Sequence, residues 1–144
     1  MKLFATCEID RPADDVFGFV SDSSNNPQWQ KGQLSCVWTS PPPIGVGSTY
    51  EQQARFLGRT VTNRFEVIEH QPGHSITIES TEGSFAITVR RSVDPLGEGR
   101  SRVMAEIDGQ PGAFFRLVGP VLRRVAQRSV NADYARLKRL LEAS

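Results

Sequence analysis

The sequence is poor in the residues that build disulfide scaffolds and metal sites. Its 144 residues include two cysteines, Cys7 and Cys36, and two histidines, His70 and His74. Two cysteines without the spacing of a metal-binding motif argue against a disulfide framework and favour a reducing compartment. A Pro-Gly turn separates the two histidines, so a helix cannot align them as metal ligands. We therefore expect neither a metal site nor a cofactor.

Long apolar runs are also missing, and none approaches the roughly 18 residues that a membrane span needs. The first residues lack the apolar block of a signal peptide, which predicts a cytoplasmic protein without stable membrane insertion. The sequence contains no glycine-rich phosphate loop followed by Lys-Ser/Thr and no Gly-x-Ser-x-Gly. These absences argue against nucleotide hydrolysis and against an α/β-hydrolase.

Charge is distributed unevenly, although the net charge is only +1. Residues 1–110 hold 10 Lys/Arg and 14 Asp/Glu, whereas residues 111–144 hold 7 Lys/Arg and 2 Asp/Glu. The basic end is interpreted as the solvated face of a helix packed on an acidic sheet. The alternatives are binding of nucleic acid or of an anionic membrane. Aromatic residues do not alternate with these arginines, so we expect no nucleic-acid partner, while transient contact with a membrane surface stays open.

The length of the sequence fits one domain over residues 1–144, and a chain of this length can bury a hydrophobic core. Hydrophobic residues make up 38% and charged residues 23%, which excludes a disordered tail and a coiled-coil rod. Residues 2–9 predict a strand, and residues 12–21 predict a short helix. A polar turn follows over residues 21–27, with a second short helical turn before Trp29.

From residue 33 to residue 109 the pattern changes to alternating strands. Turn signals recur about every 10–14 residues without helical segments between them, which predicts an antiparallel meander rather than βαβ units. From Phe114 onward, apolar residues repeat with a period near 3.6 and predict a long helix, with a kink or a fresh start at Gly119-Pro120. The order predicts an α+β domain in which a curved antiparallel sheet wraps around one long C-terminal helix.

Several short motifs follow one family pattern. They are residues 9–17 (IDRPADDVF), 27–29 (PQW), 45–48 (GVGS), 67–73 (VIEHQPG) and 137–142 (LKRLLE). On these motifs the chain resembles the START-like, or helix-grip, superfamily (SRPBCC), most closely its polyketide cyclase/dehydrase and lipid-transport branch. The resemblance covers essentially the whole chain. It implies a START-like ligand-binding domain with a cavity between the sheet and the C-terminal helix, in which members bind lipids, sterols, polyketides, hormones or quinones.

Strand alternation assigns every second residue of a strand to the inner face of the sheet, where such a cavity would lie. The candidate ligand-binding residues are Tyr50, Gln52, Asn63, Phe65, Ile78, Ser80, Phe85, Ile87, Phe114, Leu117 and Val121. Most are apolar, as a pocket for a hydrophobic ligand requires. Gln52 and Asn63 either orient a ligand's oxygen atoms or satisfy each other. Arg91 is the one charged residue that this alternation assigns to the inner face of the sheet. Because it lies near the end of its strand, we expect it at the rim of the cavity.

The sequence therefore favours binding or carriage of a hydrophobic small molecule such as a lipid or polyketide, by a monomer or homodimer. One alternative is a polyketide cyclase/dehydratase-like enzyme. The inner face shows no Asp, Glu or His base, so no catalytic residue is assigned. A second alternative is a protein-interaction module of the chaperone-activator type, which would use the outer face of the sheet or the basic helix. A wide apolar cavity favours the first function, an inward carboxylate or histidine the enzyme, and a fully packed interior the interaction module.

Overall fold

The computed structural model describes residues 2–56, 58–83, 86–110 and 119–144. The first strand, β1 (Lys2–Ile9), leads into helix α1 (Ala13–Val20) and a 3-10 helix (Ser23–Gln28). The strands that follow are β2 (Gln33–Trp38), β3 (Thr49–Phe56), β4 (Arg59–Gln71), β5 (Ser75–Gly83), β6 (Ala86–Pro95) and β7 (Ser101–Gln110). Helix α2 (Gly119–Glu142) comes last. This order confirms the predicted α+β arrangement, including the two short helices after the first strand.

The seven strands form one antiparallel sheet in the order β1-β7-β6-β5-β4-β3-β2. Strands β2 to β7 are the predicted meander, and β1 pairs with β7 at one edge. The register shifts between Gln33 and Ser35, between Arg64 and Phe65, and between Val67 and Glu69. An extra residue on one strand bends that strand and increases its twist. These bulges therefore contribute to the curvature that gives the sheet a concave face.

Helix α1 packs one apolar side against the sheet. Val16, Phe17 and Val20 are buried, and their spacing places them on the same side of the helix. Asp14 and Asp15 occupy the first turn, where the helix dipole favours negative charge. Helix α1 contacts β6, β7 and the 3-10 helix, and so covers one end of the sheet.

Helix α2 lies along β1, and hydrogen bonds connect the two elements. Gln127 Nε2 donates to the Phe4 carbonyl over 2.7 Å, and Lys138 Nζ donates to the Glu8 carbonyl over 2.7 Å. The Glu142 carboxylate accepts from Lys138 Nζ at 2.7 Å and from the Asp10 backbone N–H at 2.8 Å. These contacts hold α2 against β1 at the edge of the sheet.

The apolar stripe of α2 is buried only in its second half. Tyr134 and Leu137 are buried, whereas Val121 and Val125 are 66% and 59% exposed. The predicted stripe is therefore wrong at its start, because α2 places these two valines on its solvent side. None of the helices in the described ranges combines the length and the apolar character needed to cross a bilayer.

Candidate functional site

Most of the predicted ligand-binding residues lie together on the concave face. Tyr50 is opposite Phe65, which is opposite Ser80, and Gln52 is opposite Asn63 on the neighbouring strand. Ile78 of β5 is opposite Val89 of β6, and Ile87 lies two residues before Val89 on the same strand, so both isoleucines share this face. Val121 stands apart on the exposed side of α2. The predictions at Phe85, Phe114 and Leu117 fall outside the described residues.

Arg91 occupies the interior of the grip and not its rim. Its side chain comes from β6, opposite Ala105 and Ile76, and the residue is only 6% exposed. The guanidinium Nε donates to the Tyr134 hydroxyl over 2.9 Å, and its central carbon lies 5.2 Å from the centre of the Trp29 ring. A cation over an aromatic face is attracted by the ring quadrupole. The sequence prediction of a rim position is thus wrong, and Arg91 joins β6, α2 and the segment after the 3-10 helix.

Aromatic rings form much of the wall around this guanidinium. Trp29 meets Tyr134 edge-on with ring centres 4.9 Å apart. Tyr50 stacks on Phe65 at 5.1 Å and meets Trp38 edge-on at 5.2 Å. Trp29, Tyr50, Phe65 and Tyr134 are all buried. The site therefore combines a single charge with a large apolar and polarisable surface.

Burial keeps the acidic groups near Arg91 protonated. It raises the pKa of the Cys36 thiol to about 12, against the opposing attraction of Arg91. Burial likewise raises the pKa of Tyr50 and of Tyr134, and Arg91 opposes both shifts. Burial disfavours the charged guanidinium, yet the surrounding phenols and thiol hold the pKa of Arg91 above its ordinary value. At neutral pH the site carries one positive charge among neutral neighbours.

Several buried polar atoms have no hydrogen-bond partner in the described part of the chain, and those of Trp29 and Tyr50 belong to residues that interact with Arg91. The atoms are Tyr50 Oη, Trp29 Nε1, Asn63 Oδ1, Asn26 Oδ1, Gln30 Nε2 and Ser101 Oγ. Ser23 moderates the rise in the pKa of Tyr50, but its hydroxyl does not complete a hydrogen bond of normal geometry with the phenol. An unpaired buried polar group costs about 1–3 kcal/mol, and most buried polar groups in native proteins are paired. Such a concentration indicates a place where a ligand or ordered water completes the bonding.

Gln52 and Ser80, in contrast, each lie within hydrogen-bonding distance of a neighbouring residue. Gln52 Oε1 lies 3.9 Å from Cys36 Sγ, and the same sulfur lies 2.9 Å from Gln33 Oε1. The Ser80 hydroxyl accepts the Ile87 backbone N–H over 2.8 Å. Of the polar residues predicted to face a ligand, Tyr50 and Asn63 therefore retain the most unused hydrogen-bonding capacity.

The two histidines lie at the turn between β4 and β5, and each contacts a side chain of another element. The His70 ring stacks on Phe17 with centres 6.1 Å apart, and His74 Nε2 lies 3.0 Å from Asp94 Oδ1. Within the described ranges, no group of three or more His, Cys, Asp or Glu side chains is placed to hold a metal ion.

A cleft of about 700 Å³ opens where α2 meets the sheet. Its lining includes Gln127 and Asn131 of α2 and the concave-face residues Ala5 and Ala105, of which Ala105 is directly opposite Arg91. It also includes Phe4, Thr6, Arg90, Ser92, Met104 and Glu106, whose side chains the register places on the other face. None of the predicted ligand-binding residues lines it. The predicted cavity between the sheet and the C-terminal helix involves Phe114 and Leu117, which lie outside the described residues.

The buried thiol predicts a loss of stability at alkaline pH. The ordinary thiol pKa of 9.0 is raised to about 12 at Cys36, so the unfolded chain loses this proton first as the pH rises. The contribution is intact below pH 9 and declines above it, by at most about 1.4 kcal/mol per pH unit. Urea unfolding at pH 8, 9 and 10 should show this decline.

Cys36→Ala is the matched variant for that measurement, because it keeps the position small and apolar and removes the titrating proton. We expect its unfolding free energy to fall less steeply than that of the wild type between pH 9 and 10. Equal slopes for the two proteins would show that another group dominates the alkaline loss.

Sequence reasoning missed the partners of Arg91. Tyr134 is recognisable as a member of the helical stripe and Trp29 as a large apolar residue, but neither pattern shows that they meet one guanidinium. Asn26 lies in a polar turn and is nevertheless 1% exposed. The sequence does carry one sign of these contacts, because strand alternation places Arg91 on the inner face of the sheet. A charged side chain in the interior requires partners from other elements.

Comparison with known proteins agrees with this architecture. The family model for "Polyketide cyclase / dehydrase and lipid transport" matches residues 2–142. Among curated proteins, no match is found. Among solved structures, TTHA0849 from Thermus thermophilus is 20% identical, with 100% of this chain and 99% of that chain covered and a TM-score of 0.82.

Two further solved structures have the same fold at low identity. The Zhui aromatase/cyclase from Streptomyces sp. R1128 is 14% identical, with 95% of this chain and 90% of that chain covered and a TM-score of 0.76. A START superfamily protein from Mycobacterium smegmatis is 21% identical, with coverages of 96% and 98% and a TM-score of 0.70. The chain belongs to the polyketide cyclase/dehydrase and lipid-transport family.

Proposed function

We propose that this protein binds, and thereby carries, a hydrophobic small molecule between the concave face of the sheet and α2. The observation that carries the proposal is the set of unpartnered polar atoms within an apolar, aromatic wall. Ligand sites have this composition, in which apolar surface supplies affinity and a few polar groups fix orientation. A core that served stability alone would gain by replacing these polar groups with apolar ones.

The family supports a small hydrophobic ligand without naming it. Lipid transport stands in the description of the matched family, and relatives of the same fold include an aromatase/cyclase. Tyr50 and Asn63 are the residues that we assign to orienting the ligand. Phe65, Ile78 and Ile87 are assigned to its apolar body.

A polyketide cyclase/dehydratase-like enzyme is the second candidate, and the Arg91–Tyr134 pair favours it. A charged donor and a hydroxyl in a water-poor site can stabilise an oxyanion that develops on a carbonyl. Proton abstraction also needs a placed base. Among the described residues of the concave face no carboxylate or imidazole is buried, so binding remains the preferred function.

Native mass spectrometry of the freshly purified protein tests the binding function. We expect a population heavier than the protein mass, which loses the extra mass in organic solvent, and extraction should identify the bound compound. Asn63→Leu should change the bound population, because the variant removes an amide that faces the ligand. Thr62→Leu is the control, since Thr62 is exposed on the opposite face. Absence of any adduct, together with no binding of apolar fluorescent probes, would contradict the proposed function.

A further inference from the structure

We propose that the bound molecule is an amphipathic acid, an apolar compound whose single carboxylate pairs with Arg91 in the interior of the grip. This inference rests on the proposed function and specifies the chemical class of the ligand. It arises from three features of the interior, which are the charge balance, the unpartnered donors and the apolar surroundings of the guanidinium.

The charge of Arg91 has no counterion within the protein. All 16 Asp and Glu residues of the sequence lie in the described ranges, and none of them is buried. Arg91 is the one charged residue among those described as buried. A buried charge is costly unless it is paired, and Tyr134 supplies a single neutral hydrogen bond. A ligand carboxylate would provide the missing negative charge.

The unpartnered polar atoms of the residues that interact with Arg91 can donate. They are Trp29 Nε1, whose ring lies beneath the guanidinium, and the Tyr50 hydroxyl, which can also accept. Within the described residues Arg91 donates through Nε alone, which leaves the N–H groups of both terminal nitrogens free. A carboxylate accepts up to four hydrogen bonds and matches the fork of a guanidinium. An ester or alcohol of the same length would use fewer of these donors.

The size of the charge favours a carboxylate over a phosphate monoester. One guanidinium balances one negative charge, which is the charge of a carboxylate, whereas a phosphate monoester carries about −1.5 to −2 at neutral pH. Trp29, Tyr50 and Phe65 surround the cluster with aromatic surface. That surface suits the apolar part of the same molecule.

The decisive measurement compares cis-parinaric acid with its methyl ester, which share one fluorescent apolar chain. At pH 8 we expect the wild type to bind the acid at least about tenfold more tightly than the ester. Arg91→Met should bring the ratio of the two dissociation constants close to one while ester binding persists. Arg90→Met is the matched control, because Arg90 is exposed and its side chain is on the convex face. It should leave the ratio unchanged.

The outcomes separate this inference from the proposed function. Equal binding of acid and ester by the wild type overturns the inference and leaves hydrophobic-ligand binding intact. Failure to bind either probe, together with no adduct in native mass spectrometry, overturns both. A ratio lost in Arg90→Met instead of Arg91→Met assigns the acid to Arg90 and also overturns the inference.

Arg91→Lys keeps the measurement decisive if Arg91→Met does not fold. A lysine retains the positive charge but loses the planar fork and the stacking on Trp29. We expect an acid-to-ester preference that is smaller than in the wild type. A preference that is undiminished in Arg91→Lys would show that the guanidinium does not hold the carboxylate.

Discussion

Replacing Trp29 by alanine is expected to lower the free energy of unfolding by about 3–5 kcal/mol. Trp29 is 1% exposed, meets Tyr134 edge-on, and lies beneath the Arg91 guanidinium. Its removal empties a large volume at the junction of the sheet, α2 and the 3-10 helix. For a domain of this size the loss corresponds to a fall of about 10–17 °C in Tm. Urea and thermal unfolding monitored by circular dichroism measure both quantities.

Trp29→Phe is the control that separates ring volume from the indole N–H. Phenylalanine keeps an aromatic face under Arg91 and removes the unpartnered Nε1–H. We expect it to cost clearly less than the alanine variant, because removal of an unsatisfied donor offsets part of the lost packing. Equal losses in the two variants would mean that the indole N–H contributes a bond of its own to the folded state.

The arrangement of strands was predictable because each strand obeys a local rule. Side chains alternate along β3 and β4, and turn residues separate these strands from their neighbours. This was sufficient to predict that Gln52 and Asn63 lie on one face of adjacent strands, and the register confirms that they are directly opposite. The long helix was predictable for the same reason, since its apolar residues repeat with the helical period.

The depth of Arg91 could not be predicted, because depth depends on the curvature of the whole sheet. Alternation correctly placed Arg91 on the concave face. Its distance from the rim depends on bulges in β2 to β5 and on where α2 crosses, and neither has a clear sequence signal. The exposure of Val121 has a different origin. At 100° per residue, Val121 and Val125 lie on roughly the opposite side of α2 from Tyr134 and Leu137, so the apolar residues of this helix do not form one continuous stripe.

The candidate site depends on contacts between distant parts of the chain. Arg91 is 43 residues from Tyr134, which receives its hydrogen bond. Trp29 provides the aromatic face from the other side, and its carbonyl accepts from Arg136 Nη1 over 2.8 Å. Movement of α2 would therefore alter both partners of the guanidinium together. If a ligand binds Arg91 as proposed, its access is therefore coupled to the position of α2.

Replacing Gly83 by alanine is expected to cost about 2–5 kcal/mol, from backbone strain and from overlap with Asn63. Gly83 has a φ of +131°, which L side chains rarely adopt. A Cβ there would lie 2.7 Å from the Thr62 carbonyl oxygen and 2.8 Å from Asn63 Cα, and closer still to the Asn63 amide oxygen. The absence of a side chain at Gly83 therefore allows the Asn63 amide to occupy its buried position opposite that glycine. Urea unfolding measures the loss.

Gly97→Ala separates the two contributions, because Gly97 has a nearly equal φ of +128° and no atom within 4 Å of the added Cβ. It should show the backbone strain alone, about 1–3 kcal/mol, and leave ligand binding unchanged. Gly83→Ala should cost about 1–3 kcal/mol more than Gly97→Ala and should weaken binding of the cis-parinaric methyl ester, since Asn63 is displaced. Equal losses, with ester binding unaffected in both variants, would mean that Asn63 moves aside freely and that its position is not required for the ligand.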